Sequence, residues 1–168
     1  MTLYLGGCSD EIPAIRQASQ GFIEGTITGT QLDDGAALNE AFRFTNFAPY
    51  EPPTYHLYEE GTVTITIHRE DLKTGSHLDL LLVLDDLTDT TPECPTTGMQ
   101  LFRKRGDVIF YFELDEAITT FNAFTFDAAS GRVTGSFSMA LPDHANSTQQ
   151  EATIEGTFDL VVERSYIN

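Results

Sequence analysis

Apolar residues return at every second position through nearly all of the chain from residue 21 to residue 162. This period constrains the fold more than any other feature, because side chains alternate sides along a strand and not along a helix. Val63, Ile65 and Ile67 form one row and Thr62, Thr64, Thr66 and His68 the other, which predicts a strand with one dry and one wet side. Residues 78–84 are apolar in both rows, Leu80 and Leu82 in one, Leu81 and Val83 in the other, and predict a central strand covered on both sides. Further runs fall at Val108, Phe110, Phe112 and Leu114, at 121–126, at Val133, Phe137, Met139 and Leu141, and at Ile154, Phe158, Leu160 and Val162. With 22–32 and 42–47 the count reaches about eight to ten strands.

Between the runs stand turn formers: Asp33-Asp34-Gly35, Lys73-Thr74-Gly75-Ser76, Arg105-Gly106-Asp107 and Ser130-Gly131. Links so short join antiparallel neighbours. Two Pro-containing stretches, 49–53 and 88–98, read as longer loops between sheets, and only residues 10–19 have room for a helical turn. The expected architecture is an antiparallel β-sandwich, with an up-and-down β-barrel as the alternative. Its core should hold Ile65, Ile67, Leu80, Leu82, Phe110, Phe112, Phe137 and Phe158. Ile23-Glu24-Gly25-Thr26 recurs as Ile154-Glu155-Gly156-Thr157, and Val133-Thr134-Gly135-Ser136 is a looser copy. Each places a glycine among core-facing residues, where a neighbouring ring can fill the space, and Phe137 and Phe158 are the rings expected to do so. Copies near both ends of the domain predict that the first and last strands are neighbours.

Twenty-six acidic residues against nine basic give a formal charge of −17. Nucleic acid is excluded as a partner, because its affinity comes largely from Lys and Arg neutralising phosphates. The 12 Phe and 6 Tyr argue against a disordered chain. No run of 18 apolar residues is present to span a bilayer, so the expectation is one soluble, monomeric domain over residues 21–168.

Residues 1–20 read differently, as a signal remnant followed by a flexible tether. Leu5-Gly6-Gly7-Cys8 resembles the lipobox of bacterial lipoproteins, in which a Leu and two small residues precede the cysteine that receives the lipid. The polar stretch from Ser9 to Gln20 is similar to the tether that follows it. The hairpin running from Gly135 to Leu160 also resembles the C-terminal hairpin of bacterial lipoprotein β-sandwiches. The resemblance implies lipid attachment at Cys8 and an extracytoplasmic, envelope location. The alternatives are an N-terminus with an ordinary thiol, or a disulfide between Cys8 and Cys94.

No nucleophile elbow, phosphate loop, dinucleotide fingerprint or paired-cysteine motif occurs, so an enzyme is not expected. His68, Glu70, Asp71 and His77 fall where a hairpin can gather two imidazoles and a carboxylate, as zinc requires. The simpler reading makes His68 part of the wet threonine row and Glu70-Asp71 part of a turn, so no metal and no cofactor are expected. His56 and His144 fall in apparent loops. The acidic groups Asp33-Asp34, Asp85-Asp86 with Asp89, and Asp115-Glu116 suit solvated strand ends, or calcium if they converge. Arg105-Gly106-Asp107 matches an adhesion triplet, which its turn-forming value explains, and Asn146-Ser147-Thr148 has the form of a glycosylation acceptor, which matters only in a eukaryotic secretory pathway that the lipobox resemblance disfavours. Tyr50, Tyr55 and Tyr58 surround the first Pro-rich stretch and are the candidate ligand-binding residues, since exposed Tyr rings suit a sugar platform.

The function expected from the sequence is therefore a non-catalytic envelope lipoprotein, a binding or structural module toward a glycan or an envelope protein. A carbohydrate-binding or adhesive module, with or without calcium, is the alternative. A hydrolase using paired carboxylates comes third.

Overall fold

Gly25 and Gly156, the glycines of the two repeated tetrapeptides, lie directly opposite each other at the middle of a sheet. The computed structural model describes residues 20–31, 35–47, 52–102, 108–112, 118–141 and 149–165. Its strands in chain order are β1 (Gly21–Gln31), β2 (Ala37–Phe44), β3 (Thr54–Leu57), β4 (Val63–Asp71), β5 (Ser76–Leu84), β6 (Glu93–Phe102), β7 (Val108–Phe112), β8 (Ile118–Asp127), β9 (Arg132–Leu141), β10 (Gln149–Val161) and β11 (Glu163–Arg164). Five strands form one sheet in the order β2-β1-β10-β9-β8, and six form the other in the order β11-β3-β4-β5-β6-β7. Neither closes into a barrel. Every pair is antiparallel except β11 with β3, and no helix occurs among the described residues.

The alternation in the sequence is what packs the two sheets. Ile23 and Ile27 of β1, Ile154, Phe158 and Leu160 of β10, and Val133, Phe137 and Met139 of β9 face Val63, Ile65 and Ile67 of β4 and Leu78, Leu80, Leu82 and Leu84 of β5 across one continuous core. Ile65, Ile67, Leu80, Leu82, Phe137 and Phe158 are buried as the pattern requires. Phe110 and Phe112 belong to β7, whose side chains lie outside the described residues. The first strand does pair with the last long one, in register from Gly21↔Leu160 onward.

The glycines work reciprocally. Phe137 of β9 is the cross-strand partner of Gly156 of β10, and Phe158 of β10 is the partner of Gly135 of β9. A Cβ at Gly156 would come within 2.7 Å of the Phe137 ring, and one at Gly135 within 2.5 Å of the Phe158 ring and 2.8 Å of the Ala123 carbonyl. Each ring thus lies over the other's glycine, and neither position tolerates a side chain.

Four expectations are corrected. Residues 93–98 are strand, not loop: Leu81 pairs with Thr96 and Val83 with Glu93, so Cys94 and Pro95 form a bulge in β6 where a missing amide is tolerated. That stretch therefore joins two strands of one sheet, whereas the connection from β2 to β3 does cross between sheets. The strands number eleven because β3 and β11, at four and two residues, are too short to show a period. β5 is central, yet its outer row, with Leu81 and Val83, is only half-buried. Residues 10–19 lie outside the described residues.

Arg69 continues the inner row of Val63, Ile65 and Ile67 and is fully buried. Its Nη2 donates to the Gln20 carbonyl at 2.8 Å, and its guanidinium lies 5.2 Å from the Phe47 ring centre. Burial lowers its pKa to about 10, which leaves it charged at neutral pH. Arg69 thereby fixes the point where the chain from the N-terminus joins the sandwich.

Candidate functional site

The polar half of each strand of the five-stranded sheet faces outward, and there it lines a shallow trough of about 870 Å³. Because the row Phe42, Gly25, Gly156, Phe137 turns its side chains to the core, its backbone forms the floor. Two outward rows flank that floor. One contains Arg43, Glu24, Thr157 and Ser136, and the other Ala41, Thr26, Glu155 and Ser138. Antiparallel pairing of the two Glu-Gly-Thr copies sets Glu24 against Thr157 and Thr26 against Glu155, so the lining has a local two-fold arrangement about the glycine pair. Asn122 enters from β8, where the register shifts between Phe121 and Ala123.

Charge within the trough is partly fixed. Arg43 donates to the Glu24 carboxylate, and its guanidinium lies 4.1 Å from the Phe22 ring centre. Glu155 stands exposed. Beyond Phe22, Arg132 holds Asp159 through two bonds, Nε to Oδ1 at 3.0 Å and Nη2 to Oδ2 at 2.8 Å. These hydrogen bonds raise the Arg132 pKa.

Of the two candidate tyrosines among the described residues, one is buried and one is exposed. Tyr55 is 6% exposed, its hydroxyl donates to the Ala128 carbonyl at 3.2 Å, and its ring meets Phe126 edge-on at 5.0 Å. It is a core residue on the inner face of β3, which corrects its assignment to a ligand surface. Tyr58 is 37% exposed at the β3–β4 turn, with its ring against His56 at 4.3 Å. Tyr50 lies outside the described residues, as do Cys8, His144, Asp33-Asp34, Arg105-Gly106-Asp107, Asp115-Glu116 and Asn146-Ser147-Thr148.

The histidine hairpin does bring its residues together, around a carboxylate the sequence reading overlooked. Asp79 of β5 pairs opposite His68 of β4; one oxygen meets His68 Nδ1 and the other lies 3.6 Å from His77 Nε2. Glu70 Oε2 is 4.0 Å from His68 Nε2, whereas Asp71 instead accepts from the Lys73 amide and the Thr74 hydroxyl in the turn. Among the described residues no group of three or more His, Cys, Asp or Glu side chains is arranged to hold a metal ion.

No protein-family model matches the chain, and no curated protein or solved structure is similar to it. The functional reading rests on the chain's own chemistry.

Asp86 and Asp89, in the loop after β5, point their carboxylates at their own backbone. Asp86 accepts from the Thr88 hydroxyl and amide at 2.6 and 2.7 Å, which lowers its pKa. Asp89 accepts from the Thr91 amide at 2.8 Å and the Asp85 amide at 3.1 Å, with the same result. These oxygens are engaged in turn formation rather than aimed at a shared centre. Cys94, named above as the alternative disulfide partner, is a free thiol beside Thr97 Oγ1 at 3.1 Å, and burial raises its pKa. The trough residues escaped the sequence reading because alternation marks them only as solvent-facing. Their one signal was the repeated Ile-Glu-Gly-Thr, read above for its glycines alone.

Proposed function

We propose that this protein is a non-catalytic, lipid-anchored module of a bacterial cell envelope, held at Cys8, that uses the outer face of its five-stranded sheet as a binding surface. The observation that carries the reading is the place where the chain joins the sandwich. Gln20 is bound to buried Arg69 at the end of the molecule where β1 begins and β4 ends. Arg43, Arg69, Lys73 and Arg132 all lie toward that end, by the register of β2, β4 and β9. The opposite end, at the β3–β4 and β5–β6 connections, carries Glu59, Glu60, Asp85, Asp86 and Asp89, with no Lys or Arg among its described residues. Carboxylates share that end, with Glu24 on Arg43 and Asp159 on Arg132, so its charge is partly compensated, and a domain tethered through residues 9–19 turns this end to anionic headgroups and the uncompensated acidic end away from them. The trough, on the side of the sandwich, stays open to a partner in this orientation. Its lining of carboxylates, hydroxyls and one amide can hold a polar ligand by hydrogen bonds.

Expression behind its native upstream sequence in a Gram-negative host tests the anchor. Mass spectrometry should find diacylglyceryl-modified Cys8, and Cys8→Ser should release a folded protein from the membrane fraction, since no described strand depends on that residue. Acyl chains contribute about 0.8 kcal/mol per buried CH₂, so several together outweigh repulsion of the acidic domain. An unmodified Cys8, or one joined to Cys94, sinks the assignment.

A further inference from the structure

We infer that the trough across the five-stranded sheet is a site for a neutral oligosaccharide, an assignment that rests on the binding-module reading and gives it a ligand class. The first support is the chemistry of the lining. Thr26, Ser136, Ser138 and Thr157 offer hydroxyls that both donate and accept, Asn122 an amide, and Glu155 a carboxylate with two acceptor oxygens. A sugar ring presents the complementary set, hydroxyls that each donate and accept, with adjacent pairs spaced to meet one carboxylate. Ala41 is the one wholly apolar side chain in the two outward rows, so a peptide helix, which needs a row of large apolar contacts, has no deep anchor there.

Charge then narrows the class. Two carboxylates face one guanidinium, and that guanidinium is already engaged by Glu24 and by the Phe22 ring. A sulfated or phosphorylated polymer would meet uncompensated negative charge, and the whole chain stands at −17. Dimensions agree as well. The lining residues come from all five strands, and crossing five strands about 4.8 Å apart gives the trough a run of about 19 Å, long enough for several linked sugar rings. Its volume of about 870 Å³ falls within the range of small-ligand clefts. The glycine pair contributes from below: with no side chain at Gly25 or Gly156, the floor is bare backbone held by the Phe42 and Phe137 rings beneath it. A rigid floor of this kind limits the ordering lost on binding.

The test uses the full chain, isotopically labelled, titrated separately with cellohexaose, maltohexaose, xylohexaose, mannohexaose and chitohexaose at millimolar concentration. At least one should shift amide signals of Thr26, Ser138 and Thr157, and Glu155→Gln should weaken that binding at least tenfold while leaving the melting temperature unchanged. A second variant, Thr157→Val, should act in the same direction if either substitution alone perturbs folding. A heparin hexasaccharide should leave these amides unmoved. The inference is overturned if none of the five shifts the trough, if the shifts fall elsewhere, or if heparin is the better ligand. Shortening of a bound hexasaccharide would instead show a hydrolase and overturn the non-catalytic reading. Lipidation at Cys8 is read independently, so failure of the anchor and failure of the ligand class are separable.

Discussion

At the scale of single residues, the rings over the glycines hold the five-stranded sheet together. Phe158 touches Phe121, Phe124 and Phe137 at centroid distances of 6.2–6.5 Å and covers Gly135 from across the strand. Replacing it with Ala empties a site that the glycine cannot refill, so denaturant unfolding should show a loss of about 3–5 kcal/mol; a loss below about 1 kcal/mol would mean the ring is not a core element. That Phe158 and Phe137 belong to the core was legible from alternation alone. Which glycine each ring serves was not, because the sequence shows a ring two residues after a glycine on one strand, whereas the contact is made between strands. Tyr55 was misread for a related reason. Flanked by Pro52-Pro53 and set in a strand of four residues, it offers no period by which to assign it a face. Arg69 was in phase with Val63, Ile65 and Ile67, but a charged side chain in an apolar row reads as a strand end until a partner such as Gln20 is visible.

Elements are joined here by turns whose carboxylates hold the backbone. In the β8–β9 turn, Asp127 accepts from the Ser130 hydroxyl at 2.6 Å and from the Ala129 amide at 3.0 Å, which lowers its pKa below the usual range. A carboxyl depressed in the folded state adds stability at pH values above its unfolded pKa, about 3.9, and the contribution disappears as pH falls through the folded value. Asp86 and Asp89 carry the same sign. Glu163 carries the opposite one, since burial raises its pKa and protonation relieves it. Raw acid melts mix these effects with relief of the overall charge, so the informative quantity is the difference between wild type and Asp127→Asn. Melting temperatures should differ at pH 6 and converge as pH falls below about 3, and a gap that stays constant over that range would show that the charge on Asp127 is irrelevant. Turn positions were readable from Gly75 and Ser130-Gly131, which take positive φ at 73° and 69°. The β6 bulge was not, because Pro95 signals a break without saying whether the strand resumes beyond it.

For the molecule as a whole, −17 charges on one sandwich imply self-repulsion that ions can screen. The acidic end suffers most, with Glu59, Glu60, Asp85, Asp86 and Asp89 close in sequence to one another or linked by neighbouring strands. At physiological ionic strength screening acts over about 8 Å, so the melting temperature should rise between low and high NaCl. A flat or falling profile would show the carboxylates to be compensated already, as bound cations would do. Which turns share an end was invisible to sequence reading, because only strand order decides that.

Strand order also dictates when the molecule can exist at all. β1 is made well before β10, yet β10 is the strand that separates β1 from β9 and sits at the centre of the five-stranded sheet. Until residues 149–161 have been made, the β1–β2 hairpin and the β8–β9 hairpin have no common edge to join them, and contacts between such distant segments are slow to form even in the finished chain. Closure of the five-stranded sheet is therefore deferred until β10 has been made, so the order of synthesis and the order of pairing run against each other.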